Sequence, residues 1–123
     1  MNDDTELKDL KQRTKDFALR VIRLFTKLPE SKVAQVIGNQ VLRSGTSVGA
    51  HYREASRARS TAEFVSKLGV GLQELDETEY WLELLVDADI VPSGQLEDLL
   101  KETDELLAIF VTCIKNSKEK EDK

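Results

Sequence analysis

Apolar side chains recur every three or four residues through four stretches of this sequence, and only three short breaks interrupt them. That spacing lays one apolar stripe along one face of a helix, which must then be buried against other helices. The first stretch steps through Leu7, Leu10, Thr14, Phe17, Val21, Leu24 and Leu28 and predicts a helix over 5–28. Pro29 stops it, because proline cannot continue the hydrogen-bond ladder and disfavours helix at the residue before it. Pro29 and Ser31 open a second helix over 31–58, with a stripe at Ala34, Ile37, Val41, Ser44, Val48, His51, Ala55 and Ala58. Ser60-Thr61-Ala62-Glu63 reads as a capping box, in which Ser60 caps the helix and Glu63 reaches back. A third helix over 61–88 follows, striped by Phe64, Leu68, Gly71, Leu75, Thr78, Leu82 and Leu85. Val91-Pro92-Ser93-Gly94 breaks the chain, and Ser93 can cap a fourth helix over 94–116 with its stripe at Leu96, Leu99, Leu100, Thr103, Leu106, Leu107, Phe110 and Ile114. The charged end, 117–123, is expected to fray.

Connections of only a few residues force sequential helices to run antiparallel. The expected fold is therefore all-α: an antiparallel up-down-up-down four-helix bundle forming a single domain over 1–123. A chain of 123 residues is long enough to bury a core, and 6% aromatic residues with two prolines suit helices better than strands. The second helix is unusual at its centre, where Ser44-Gly45-Thr46-Ser47-Val48-Gly49-Ala50 is small and polar. A glycine inside a helix costs roughly 1 kcal/mol relative to alanine. Two of them on one face are expected where another helix backbone comes close.

The acidic, polar start Met1-Asn2-Asp3-Asp4-Thr5-Glu6 does not read as a targeting segment. No apolar run approaches the roughly 20 residues that a membrane span needs. Cys113 is the only cysteine, so no internal disulfide is expected, and a cytoplasmic location is the expectation. The net charge of −5 does not describe a generic polyanion binder. Residues 1–70 nevertheless hold 13 Lys+Arg against 8 Asp+Glu, and residues 71–123 hold 5 against 15. Either basic helices pair with acidic ones inside the bundle, or a basic face is left free for nucleic acid or an acidic protein.

Folding the third helix back on the second sets Arg43 near Asp76, Gly45 near Glu74 and Gln40 near Glu79. Arg43, Ser44, Ser47, His51, Glu74 and Asp76 then form a polar layer. That layer is read as fixing helix register, with a ligand site or an inter-subunit contact as the alternatives. One histidine cannot build a two-metal carboxylate bundle site, which needs Glu-x-x-His pairs on two helices. No phosphate-binding glycine loop, cysteine pair or nucleophile elbow appears, so no catalytic residue, metal, cofactor or small-molecule substrate is expected. Arg53, Arg57 and Arg59, with Lys67 nearby, are the densest basic cluster: either a solvated helix end or a site for phosphate or carboxylate. Tyr80 and Trp81 follow the acidic run, and Trp81 falls off the apolar stripe. It is placed either at a subunit interface or on the bundle edge against the fourth helix.

The run Leu42-Arg43-Ser44-Gly45-Thr46-Ser47-Val48-Gly49-Ala50-His51-Tyr52-Arg53-Glu54-Ala55, continued by Arg57-Ala58-Arg59-Ser60-Thr61-Ala62-Glu63-Phe64 and Glu74-Leu75-Asp76-Glu77-Thr78-Glu79-Tyr80-Trp81-Leu82, resembles the signature of the family called four helix bundle protein. That family is known from intervening sequences of bacterial large-subunit ribosomal RNA genes and includes the accessory variability protein of diversity-generating retroelements. The resemblance implies a ring-like homopentamer of four-helix bundles with no established enzymatic activity. In the retroelement relatives it implies basic surfaces that bind a reverse transcriptase and nucleic acid. This chain departs in two respects: it has His51 where the family usually has asparagine, and it is acidic where those relatives are basic.

Three functions follow. The leading one is a non-enzymatic, self-assembling scaffold that engages nucleic acid or a nucleic-acid enzyme through Arg53, Arg57 and Arg59. The second is a structural or protein-binding oligomer using the acidic second half. The third is a helical ribonuclease using Arg43 and His51, although such enzymes space the pair by four to six residues and here seven intervene.

Overall fold

Four helices make up the computed structural model, which describes residues 3–121 and the side chains from Leu10 to Lys120. They are α1 (Asp3–Thr26), α2 (Lys32–Ser56), α3 (Thr61–Asp87) and α4 (Ser93–Glu121). The Leu7 side chain and residues 122–123 lie outside what is described. Ser31 caps α2, its side-chain oxygen accepting from the Ala34 N–H at 3.2 Å. At α3 the Ser60 hydroxyl accepts from the Glu63 N–H at 3.0 Å, and the Glu63 carboxylate accepts from the Arg59 N–H at 3.4 Å. Helix α3 ends where Asp89 turns left-handed, at φ 58°, and the Ile90 and Val91 N–H groups close back onto the Leu85 carbonyl.

Helix α4 departs from the sequence reading at both ends. Ser93 is its first helical residue rather than the cap before it, and the Gln95 N–H is taken by the Pro92 carbonyl at 3.0 Å. Helix α4 continues past 116 to Glu121, with Lys118 and Lys120 in its last turn, where cations offset the negative end of the helix dipole.

Facing pairs show how the helices run. Glu54 meets Lys67 near one end of the α2–α3 seam and Ser44 meets Thr78 further along, so the two helices are antiparallel. Gly45 against Val21 and Gly49 against Thr14 give the same result for α1 and α2, as do Gly71–Phe110 and Glu79–Asp104 for α3 and α4. Each helix packs along its neighbours in sequence, while α1 and α4 close the square most loosely.

The core is the inward side of these stripes: Phe17, Val21, Val48, Leu75, Leu106 and Phe110 are all fully buried. Full burial of each such side chain stabilises by about 1.5–3 kcal/mol. On α2 the expected Ala34, Val41, Ser44, Val48 and Ala55 are buried, and the stripe departs from expectation where Gly38 and Tyr52 take the places of Ile37 and His51 and where Gly45 joins it. Ile37 and His51 are only half-buried. Tyr52 is among the largest fully buried side chains, its ring 6.2 Å from that of Phe110. Close packing of α1 explains why glycines are buried here. A Cβ on Gly45 would lie 2.7 Å from one Val21 methyl and 3.0 Å from the other, so α1 occupies the space a side chain would take.

Candidate nucleic-acid interface

The polar seam residues fall into two groups. Thr14, Ser44, Thr78 and Thr103, one from each helix, are buried hydroxyls, and each lies 2.7–2.8 Å from the carbonyl four residues earlier in its own helix. The Thr78 hydroxyl also lies 2.8 Å from that of Ser44, so it can donate to Ser44 while Ser44 donates to Gln40. Ser47 likewise donates back to the Arg43 carbonyl, at 2.6 Å. These hydroxyls have their hydrogen-bonding needs met inside the bundle, which leaves little for a ligand.

Arg43 sits outside this layer, at the surface, 3.2 Å from Glu74 and 2.8 Å from Glu77. Its hydrogen bond to Glu77 is the main cause holding the Glu77 carboxyl below its usual range and raising the guanidinium's own pKa. The expected partner, Asp76, is exposed on another side of α3, where its charge acts on Glu79. Glu79 pairs with Asp104 on α4 rather than with Gln40, and Gly45 faces α1 rather than Glu74. One residue turns a helix by about 100°, so the small offset in pairing redirects each of these side chains. His51 is half-buried beside Gly71, with Nδ1 3.3 Å from a Glu54 oxygen but outside hydrogen-bonding geometry. Arg43 and His51 are eight positions apart, about 12 Å along α2, and Arg43 is already held by two carboxylates. They do not form a joint site.

The hydrogen bond to Asp104, with burial adding to it, pushes the Glu79 carboxyl up to about 7. The folded pair keeps a proton that an unfolded glutamate loses near 4.5, so unfolding between those pH values releases a proton. Stability from this pair is therefore fully present below about 4.5 and lost as pH rises towards 7. A shift of this size would be worth roughly 3 kcal/mol in a dry interior. Water reaches part of this side chain, and screening reduces the expected effect to about 1 kcal/mol. Glu79→Gln should thus raise stability at pH 8 by that amount and remove the pH dependence between 5 and 7. Urea denaturation at both ends of the window checks this, and identical pH profiles for the two proteins would contradict it.

The basic residues separate by partner. Lys67 is held 3.0 Å from Glu54, whose carboxyl it keeps below its usual range, so it does not join the arginines. Arg13 forms a two-pronged contact with Glu102, at 2.8 and 2.7 Å, and reaches Glu105 at 3.0 Å. Lys11, Lys15, Arg53, Arg57 and Arg59 are exposed and form no ion pair within 4 Å among the described residues. Arg53 joins Lys11 and Lys15 around a groove of about 250 Å³ between α1 and α2. Its floor is small: Thr14, Ala18, Thr46, Gly49 and Ala50. Thr14 and Thr46 donate their hydroxyl protons to helix carbonyls, and a Cβ on Gly49 would come within 3.2 Å of the Thr14 oxygen. The glycine strip that admits α1 thus also gives the groove its depth. Arg57 ends α2 and Arg59 lies in the connection to α3.

This arrangement belongs to a chain whose residues 7–112 match the sequence profile described as 23S rRNA-intervening sequence protein. The chain belongs to that family. A member of the S23 ribosomal protein family from Bacteroides thetaiotaomicron, a protein of unknown function solved at 1.70 Å, superposes with a TM-score of 0.83. It is 38% identical, over 89% of this chain and 97% of that one. Nothing among functionally curated proteins matches the chain. The family name assigns no reaction.

Two residue placements remain from the sequence reading. Tyr80 is 55% exposed and meets Trp81 edge-on, the rings 5.0 Å apart. Trp81 is half-buried against the core, with its indole nitrogen buried and without a hydrogen-bond partner. Lys11 and Lys15 were not singled out by sequence, and a signal for them existed. They lie one turn apart on the side of α1 that Gly49 approaches, which the glycine spacing on α2 could have identified. Among the described residues no helix is long and apolar enough to cross a membrane, and no His, Cys, Asp or Glu group is arranged to hold a metal.

Proposed function

We propose that this protein is a non-enzymatic, self-assembling scaffold that holds the sugar-phosphate backbone of nucleic acid in the α1–α2 groove. Lys11, Lys15 and Arg53 carry the contact, and Arg57 and Arg59 extend it towards the α2–α3 connection. The observation behind this is a selective distribution of charge. The carboxylates of α3 and α4 occupy Arg13 and Arg43, while the cations at the groove keep no carboxylate partner among the described residues. A small floor lets a phosphate approach the backbone between the cations, and Arg53 suits bidentate contact to its oxygens. The family's link to an intervening sequence of 23S rRNA makes RNA the first probe. Assembly as a homopentamer, with Tyr80 and Trp81 as interface anchors, multiplies a weak site by avidity, and a cytoplasmic location accords with such a role.

Fluorescence anisotropy with single-stranded RNA and duplex DNA at low salt tests the reading. The triple variant Lys11→Ala, Lys15→Ala, Arg53→Ala is expected to lose affinity by about tenfold or more, because phosphate neutralisation dominates such binding. Its helix content and melting midpoint should match the parent, and the mass in solution should correspond to five chains in both. Absence of binding at low salt, or equal affinity for the triple variant, removes the nucleic-acid role. A monomeric mass removes the assembly.

A further inference from the structure

A second groove lies on the opposite flank of α1, where α1 and α4 close the bundle loosely. It measures about 440 Å³ and runs from the end of α1 to the start of α4. Its floor is apolar, made of half-buried Leu24 and Ile90 and buried Leu28, Leu96 and Leu99, and Arg20, Arg23 and Lys27 line the opposite side. No carboxylate is among the residues that line it. Those three cations form no ion pair within 4 Å among the described residues. The nearby Glu102 feels Arg20 but is held by Arg13.

We propose that this α1–α4 groove is a docking site for an acidic amphipathic helix of a partner protein. Two features select that occupant. Half-buried Leu24 and Ile90 keep part of their apolar surface open at the floor, where the hydrophobic stripe of a helix laid in a groove can rest. Arg20 and Arg23 stand three apart on α1, and Lys27 follows in the turn just beyond its end, a spacing of three and four close to that of side chains on one helix face. A partner helix lying along α1 presents acidic side chains at matching intervals, one per turn. A fatty acid carries a single charged head and would leave most of this row without a counterpart. The site shares no lining residue with the α1–α2 groove, so it stands whether or not nucleic acid binds there.

The test uses the full chain and a labelled 18-residue helical peptide with a leucine stripe flanked by glutamates one turn apart. A second peptide replaces each glutamate with lysine, and dodecanoate serves as a single-headed competitor. The acidic peptide is expected to bind saturably, and the lysine peptide not to bind. The variant Arg20→Glu, Arg23→Glu, Lys27→Glu changes half-buried Arg20 and exposed Arg23 and Lys27, and circular dichroism would verify its fold. It should lose at least tenfold in affinity for the acidic peptide and gain affinity for the lysine peptide. Equal binding of both peptides to the parent, unchanged binding to the variant, or displacement of the peptide by dodecanoate would overturn the proposal.

Discussion

Gly45→Leu is expected to abolish the native bundle, and Gly45→Ala to destabilise it by about 1–3 kcal/mol, the usual cost of overpacking. Even a single methyl group here would lie 2.7 Å from one Val21 carbon and 3.0 and 3.2 Å from two others. Val21 is fully buried and β-branched, so it has little rotamer freedom with which to give way. The alternative is for α1 to move off α2, which opens the core on both sides of the contact. Alanine also improves helix propensity by roughly 1 kcal/mol, and the expected loss is what remains after that gain. Two comparisons isolate the contact. Nothing lies within 4 Å of a Cβ placed on Gly69, so Gly69→Ala should stabilise the protein. Val21→Ala combined with Gly45→Ala should cost less than the two single changes together, because the smaller residue makes room for the new methyl. Urea denaturation followed by circular dichroism measures these variants. A Gly45→Ala protein at least as stable as the parent would contradict the close packing of α1 on α2.

Tyr52→Ala should cost about 3–5 kcal/mol, the range for emptying a large aromatic site in a core. Tyr52 is 1% exposed, and the Phe110 ring beside it is at 0%, so nothing nearby can reach out to refill the space. Loss on that scale is a large part of the stability of a domain this size. Burial raises the Tyr52 hydroxyl to about 12, against 10 for an unfolded tyrosine. The folded protein therefore keeps a proton that the unfolded chain releases, and the stabilisation is complete below pH 10 and lost as pH rises towards about 12. Tyr52→Phe should retain most of the packing and lessen that alkaline decline. A parent-like midpoint for Tyr52→Ala would mean that the ring is not in the core.

Fold class, helix number and two of the caps were legible because each rests on a local signal. The stripe spacing marks the helices, and Ser31 and Ser60 stand where their side chains can reach the first free N–H groups. On α2 the sequence reading departs from the structure at Ile37 and His51, because those side chains look more like core than the neighbouring glycines do. Its repeat becomes clear only when Gly38 and Gly45 are counted as buried surface, which makes Tyr52 the next member. The same step explains the misassigned cross-helix partners of Arg43 and Gly45, since pairing across two helices magnifies a small error in phase. The basic cluster was partly legible. Sequence identified Arg53, Arg57 and Arg59, but Lys67 belongs to Glu54, and Lys11 and Lys15 reach Arg53 only through the packing of α1 on α2. Which cations keep a carboxylate partner is a property of the assembled bundle, and no spacing within one helix encodes it.

The salt dependence of RNA affinity tests the proposed interface most directly. Each phosphate neutralised contributes about −0.7 to the slope of log affinity against log salt for a single strand. Replacing Lys11, Lys15 and Arg53 with alanine should make that slope shallower by about 2, while replacing Arg13, already held by Glu102 and Glu105, should leave it nearly unchanged. Parallel slopes for the parent and the triple variant would show that phosphate does not enter the α1–α2 groove.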